Sequence, residues 1–145
     1  MIEIALENAR DYLLARGLIP EQPEALIQPL GWGISNIVMK VSLPQDCFVL
    51  KQSLPRLRVK EDWPFDRARI FVERDCMALL GEVLPPGSVP GVRFSDDETF
   101  ILGMSCAPPE GILWKQALLD GQIELATAER AGMLLAEMHH RTARH

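Results

Sequence analysis

The sequence predicts an α+β fold: a five-stranded antiparallel sheet with one packed helix, a further helix ahead of it and two after it. Three observations predict it. Apolar runs rich in β-branched and aromatic residues recur between turn signals, at residues 26–27, 37–41, 48–50, 92–94 and 99–102. Between the third and fourth runs, Ala68, Phe71, Val72, Met77 and Leu80 give an apolar stripe at helical spacing, interrupted by Arg67, Arg69 and Arg74. Proline and glycine punctuation at 20–23, 84–91 and 108–111 separates these segments. With 145 residues, 48% hydrophobic and 24% charged, the chain has material for one ordinary domain with a real core.

Residues 1–16 read as an amphipathic helix, with Ile4, Ala5, Leu6, Ala9, Leu13 and Leu14 at roughly helical spacing and Gly17 as its stop. A linker at 20–23 leads into the first strand at Leu26-Ile27. Residues 30–51 then organise the rest. Gly31 and Gly33 occupy a turn between two apolar runs, where missing side chains let backbone N–H groups approach a phosphate. A Gly-x-Gly pair by itself reads better as an ordinary hairpin turn, so the flanks decide. A dinucleotide-binding loop needs a helix next, yet Ile37, Val38, Met39, Lys40 and Val41 read as a strand. The Gly-Lys-Ser/Thr ending of a Walker loop is missing as well. What remains is strand, glycine turn, strand, and a third strand ending on Lys51, the layout in which a glycine loop covers ATP and a lysine reaches its phosphates.

Lys51 in isolation reads as a solvated strand end. The kinase layout instead holds that lysine with a glutamate from the next helix. Asp62 can cap, and Pro64 can open, a helix running to about Leu80, with Glu73 near its middle. Glu73 is the carboxylate expected to pair with Lys51, with Arg69 four residues earlier as a local competitor.

Gly31-x-Gly33-x-x-Asn36-x-Val38, followed by Val49-Leu50-Lys51-Gln52, resembles the N-terminal lobe of the aminoglycoside-phosphotransferase and methylthioribose-kinase group. The runs Leu54-Pro55-Arg56-Leu57-Arg58-Val59, Asp62-Trp63-Pro64 and Asp66-Arg67-Ala68-Arg69-Ile70 are similar to methylthioribose kinases in particular. So are Trp114-Lys115, Leu135-Ala136-Glu137-Met138-His139 and the Arg-Ile-x-x-Glu arrangement that ends at Glu73. Asn36, standing where protein kinases carry a third glycine, fits this group better than it fits protein kinases. The likeness runs from about residue 27 to residue 139.

The resemblance implies a protein-kinase-like N-lobe over residues 26–107, after an N-terminal helix and linker at 1–25. It implies the first hinge-proximal helices of an incomplete C-lobe at 108–145. ATP is the implied cofactor. Gly31, Trp32, Gly33, Ile34 and Ser35, with Asn36, would close over the triphosphate, Lys51 would hold the phosphates and Glu73 would orient Lys51. Val38, Val49 and Met104 would form the apolar slot around adenine, and the backbone of Met104, Ser105 and Cys106 would read the base. For residues 104–107 a plain loop is the alternative. Arg56, Arg58, Lys60, Arg67 and Arg69 either help hold a triphosphate or phosphorylated product or simply decorate a solvated loop.

Phosphoryl transfer in this group uses a His-x-Asp loop with a following asparagine and a later aspartate for Mg²⁺. Here the asparagines are Asn8 and Asn36, and no histidine stands two residues before an aspartate. No catalytic residue or metal ligand is therefore assigned, and Mg²⁺ and a sugar-like acceptor are expected only through the missing half. Three accounts stay open: a truncated or split small-molecule kinase, a non-catalytic nucleotide-binding or interaction module whose bare apolar surface is covered by a partner or second copy, and a structural turn that binds no nucleotide.

Fifteen basic against twenty acidic residues, a net charge of −5, argue against general nucleic-acid binding. No long uncharged apolar run or leader-like N-terminus is present, so neither a membrane span nor a signal peptide fits and a cytoplasmic protein is expected. Cys47, Cys76 and Cys106 have no paired spacing and read as reduced, mostly buried thiols. His139, His140 and His145 read as a partly exposed helix end rather than a metal site.

Overall fold

Residues 2–31 and 33–143 are described by the computed structural model. Along the chain run α1 (Leu6–Ala15), β1 (Leu26–Pro29), β2 (Asn36–Leu43), β3 (Asp46–Ser53), α2 (Arg69–Val83), β4 (Val92–Asp96), β5 (Ile101–Ser105), α3 (Trp114–Leu119) and α4 (Leu125–Thr142). The strands form an antiparallel sheet in the order β1-β2-β3-β5-β4. The α+β architecture is the one the apolar runs predict.

Alternation along the strands sorts side chains between two faces. One face carries Ile37, Met39 and Val41 of β2, Phe48 and Leu50 of β3, and Ile101 of β5, and α1 seals it with Ala9, Tyr12 and Leu13. On the other face Val38 stands opposite Lys51, which stands opposite Leu102, and Lys40 stands opposite Val49, which stands opposite Met104. There α2 covers part of the sheet, packing Ile70, Phe71 and Met77 against Leu102 and Met104. Val38, Lys40, Val49 and Lys51 are left half-buried. A sheet closed on one side and half covered on the other leaves a slot beside β2 and β3.

Several boundaries differ from expectation. Helix α1 starts at Leu6, because the chain before it is tied down in a non-helical form by Gln52 of β3. The Ile4 N–H donates to Gln52 Oε1 at 2.7 Å, and Gln52 Nε2 donates to the Ile2 carbonyl at 3.0 Å. Gly17 ends the helix with φ +65°, a conformation glycine adopts without Cβ strain. Helix α2 starts at Arg69 rather than near Pro64. The preceding segment folds back on itself, with Leu57 N–H donating to the Trp63 carbonyl at 3.0 Å and Phe65 N–H to the Pro55 carbonyl at 2.9 Å. Asp62 pairs with Arg56 instead of capping, and Asp66 Oδ1 accepts from Ala68 N–H at 2.9 Å. Val72, expected on the apolar stripe, is 63% exposed, and Ile70 is the buried residue.

Met104 and Ser105 lie within β5, so the connector begins at Cys106. The cysteine expectation is corrected too: Cys47 and Cys106 form a disulfide with Cα atoms 6.0 Å apart, and Cys76 is exposed on α2. Register explains the pair, since Phe48 stands opposite Ser105, and the next residue outward is Cys47 on β3 and Cys106 just past the end of β5.

Helices α3 and α4 contain no buried residue, and α4 lies against α2. His139 and His140 are exposed near the end of α4, whereas His145 lies outside the described residues. Among the described residues no helix is long and apolar enough to cross a membrane.

Candidate functional site

Strand alternation turns Lys51 toward the half-covered face, where Glu73 meets it from the second turn of α2. The ammonium donates to both carboxylate oxygens, at 2.6 and 2.7 Å. Lys51 is 18% exposed and Glu73 39%, so the pair sits at the mouth of the slot. Arg69, the competing cation, stacks its guanidinium 5.4 Å from the Phe65 ring instead.

The glycine turn lies next to this pair. A Cβ on Gly33 would stand 2.6 Å from the Asn36 carbonyl oxygen, a separation that carbon does not tolerate, so glycine is required there by close backbone approach. Gly31 meets no such obstacle. Two hydrogen bonds anchor the far side of the turn to the segment ahead of α2: Arg58 N–H donates to the Ile34 carbonyl at 2.7 Å and Leu54 N–H to the Ser35 carbonyl at 3.0 Å. Asn36 Nδ2 donates to Ser35 Oγ at 2.8 Å. Trp32 lies outside the described residues.

Beneath the turn opens a cavity of about 380 Å³, walled by Ser35 and Asn36, Ser53 of β3, Phe65, Arg69 and Glu73. Val38, directly opposite Lys51, and Val49, one pair further from the turn, are half-buried. Met104 is only 9% exposed and packs with Ile70 and Leu102 under α2, so it sits in the floor rather than the open wall. Ser105 is engaged on both counts, its N–H donating to the Gly91 carbonyl at 2.8 Å and its Oγ accepting from Gly91 N–H at 2.9 Å. Cys106 is tied to Cys47.

A supporting shell that local pattern reading missed holds the lysine strand in place. Gln52, 1% exposed, adds a bond from Nε2 to the Thr99 carbonyl at 3.0 Å, so one amide joins the N-terminal segment, β3 and the turn before β5. Arg67 donates from Nε to the Ser53 carbonyl at 2.9 Å and from Nη2 to the Thr99 carbonyl at 3.2 Å, with its guanidinium 4.3 Å from the Phe100 ring. Burial pulls its pKa below the usual arginine value. The available signal was Gln52 itself, a polar residue at a core-facing strand position.

Chemically, an ammonium fixed by a carboxylate beside a glycine turn is suited to holding a polyanion in a half-covered slot. Among the described residues no group of three or more His, Cys, Asp or Glu is placed to hold a metal ion.

No family model matches the chain. Similarity to individual proteins is extensive nonetheless. The chain is 25% identical over 135 residues to a methylthioribose kinase of Bacillus cereus (strain ATCC 14579), covering 92% of this chain and 33% of that protein. It is 30% identical over 122 residues to a methylthioribose kinase of Escherichia coli O45:K1, covering 83% of this chain and 28% of that protein. It is 31% identical over 96 residues to methylthioribose kinase 2 of Oryza sativa subsp. japonica, covering 66% of this chain and 22% of that protein. The chain thus spans about a third or less of the length of these curated relatives. Low in identity but carried over most of the chain, the likeness supports a relationship to a kinase family that acts on small molecules.

Proposed function

We propose that this chain is the ATP-binding portion of a small-molecule kinase, one that transfers the γ-phosphoryl of ATP to a hydroxyl of a small polar acceptor of the methylthioribose or aminoglycoside kind. The observation that carries the reading is the Lys51–Glu73 ion pair, facing the half-covered side of the sheet next to a turn where Gly33 is sterically required. In this reading Lys51 holds the phosphates and Glu73 keeps its ammonium in place. Residues 31–36 close over the triphosphate, Val38 and Val49 flank the adenine above the Met104 floor, and the stretch through Ser105 and Cys106 borders the base. Residues 26–107 are then the nucleotide-binding lobe and residues 108–145 the start of a second lobe. The acceptor and the Mg²⁺ that accompanies ATP are engaged chiefly by groups that the longer relatives carry beyond the matched region.

Calorimetric titration with Mg-ATP tests the reading. Binding is expected, with Lys51→Ala losing at least tenfold in affinity while circular dichroism and melting temperature stay near those of the parent. An unchanged affinity would remove Lys51 from the site, and no binding by the parent chain would remove the nucleotide. A second reading, a non-catalytic module that docks a partner, is favoured by the apolar side chains bared on the last two helices, among them Leu119 at 71% and Leu125 at 82% exposure. Supplying a separate second-lobe polypeptide and assaying ATP turnover separates the two: turnover supports the kinase, binding without turnover the module.

A further inference from the structure

We propose a second anion subsite beyond Lys51, formed by the Ser53 hydroxyl and the Arg69 guanidinium, whose ligand is a phosphoryl group. Val49, Lys51 and Ser53 follow one another along the same face of β3, and Ser53 stands directly opposite Asn36 of β2. The cavity beneath the glycine turn therefore continues the slot past the lysine.

Ser53 is 1% exposed and lines this cavity. Its N–H donates to the Phe100 carbonyl and its own carbonyl accepts from Arg67, yet its hydroxyl has no hydrogen-bond partner among the described residues. A buried hydroxyl left unpaired beside an open cavity is a group prepared for a ligand atom. Arg69, exposed at the start of α2, forms no ion pair among the described residues, and the Phe65 ring holds its guanidinium plane at the cavity wall. The acid in that wall, Glu73, has both oxygens engaged by Lys51, which leaves the pocket one positive charge in excess. A guanidinium fork with a neighbouring hydroxyl donor suits the several oxygens of a phosphoryl group.

The choice of a phosphoryl group rests on the nucleotide reading, which sets the direction of the slot. With the base at the Val49 end and Lys51 in the middle, the Ser53 end receives either the terminal phosphate of the nucleotide or the phosphate of a phosphorylated small molecule.

Amide-resolved NMR titration of the full chain tests this, with inorganic phosphate as the probe and AMP in parallel. Phosphate is expected to shift amides around Ser53 and Ile70. Arg69→Gln should weaken phosphate at least tenfold, and Ser53→Ala severalfold, with AMP affinity unchanged in both. Because Ser53→Ala removes an unpaired hydroxyl, its melting temperature should equal or exceed that of the parent, so weaker phosphate binding there cannot come from misfolding. Absence of shifts around the cavity, or equal phosphate affinity in both variants and the parent, overturns the subsite. AMP binding without phosphate binding defeats the subsite and spares the nucleotide reading; phosphate binding without AMP binding does the reverse. In a chain saturated with a non-hydrolysable ATP analogue, loss of phosphate binding identifies the nucleotide's own phosphate as the occupant, and retained binding identifies a phosphorylated small molecule.

Discussion

Gly103 of β5 lacks a side chain because Phe94 of β4 fills that space: a Cβ there would lie 2.1 Å from the ring. The same ring meets Phe48 edge-on, with centroids 5.8 Å apart, so it has little freedom to withdraw. Gly103→Ala is therefore expected to destabilise the fold by ~1–3 kcal/mol in denaturant titration, and adding Phe94→Ala should make the alanine at 103 nearly neutral. Tyr12 is the second residue with a sharp expectation. Its hydroxyl donates to Asp96 Oδ2 at 2.8 Å, and Arg16 Nη2 lies 2.7 Å from the same oxygen. Burial, reinforced by the Asp96 bond, pushes the phenol from 10.0 up to about 12. A phenol raised in the folded state stabilises fully below its ordinary value and loses that contribution as pH climbs through the folded one. Unfolding measured from pH 9 to 12.5 should thus show an alkaline loss of order 2 kcal/mol that Tyr12→Phe abolishes. For Asp96 burial acts upward, but hydrogen bonds from Thr99 and Tyr12 and the Arg16 charge outweigh it and the net shift is downward. Its contribution is present above the ordinary carboxylate range and disappears as pH falls through the lowered value.

At the scale of elements, α1 and the segment before it are fastened to the sheet mainly through Gln52 and the buried Ile4, Ala9 and Leu13. Gln52→Ala takes away the partner of the Ile4 N–H and of the Ile2 carbonyl and leaves the Thr99 carbonyl only its bond from Arg67, and a cost of ~1–3 kcal/mol is expected. Faster hydrogen exchange should appear in residues 2–5 and 99–100 ahead of the strands, and uniform exchange throughout would contradict that fastening. The start of α2 shows why one boundary was not legible. Asp62 and Pro64 suit a helix N-terminus, and they equally suit a turn, because both structures need a short acceptor side chain and a fixed φ near −65°. Arg56 and Asp62 pairing across the fold-back, together with the bond from Leu57 to Trp63, selects the turn. Strands were legible because a period of two with turn residues between has few competing explanations.

For the molecule as a whole, the sheet is sealed on one side by α1 and half covered on the other by α2, and this asymmetry makes the slot. The last two helices and the turns that lead into them present a different surface, with Ile112 at 79%, Ile123 at 76% and Leu125 at 82% exposure. Side chains so exposed contribute little to folding, so Ile123→Gln combined with Leu125→Gln should leave the melting temperature within ~1–2 °C of the parent while lowering hydrophobic-dye fluorescence. A clear fall in melting temperature would show those residues to be packed. Lys51 and Glu73 could be singled out from sequence because each falls at a recognisable place in a layout. Ser53 could not, since a strand-end serine carries no mark of a cavity, and Arg69 was legible only as one of five basic residues that could meet a phosphate.

Composition, alternation and punctuation in the sequence alone determined the class of fold, the succession of strands and helices and the glycine turn, whereas the pairing of Lys51 with Glu73 was expected from the kinase layout that the sequence resembles. The first three are local properties, set by backbone sterics and by which side chains prefer water. Tertiary structure decided which distant groups meet: Lys51 with Glu73 across 22 positions, Cys47 with Cys106 across 59, Tyr12 with Asp96 across 84. Such meetings follow from strand register and helix packing, which many segments settle together and no short stretch encodes.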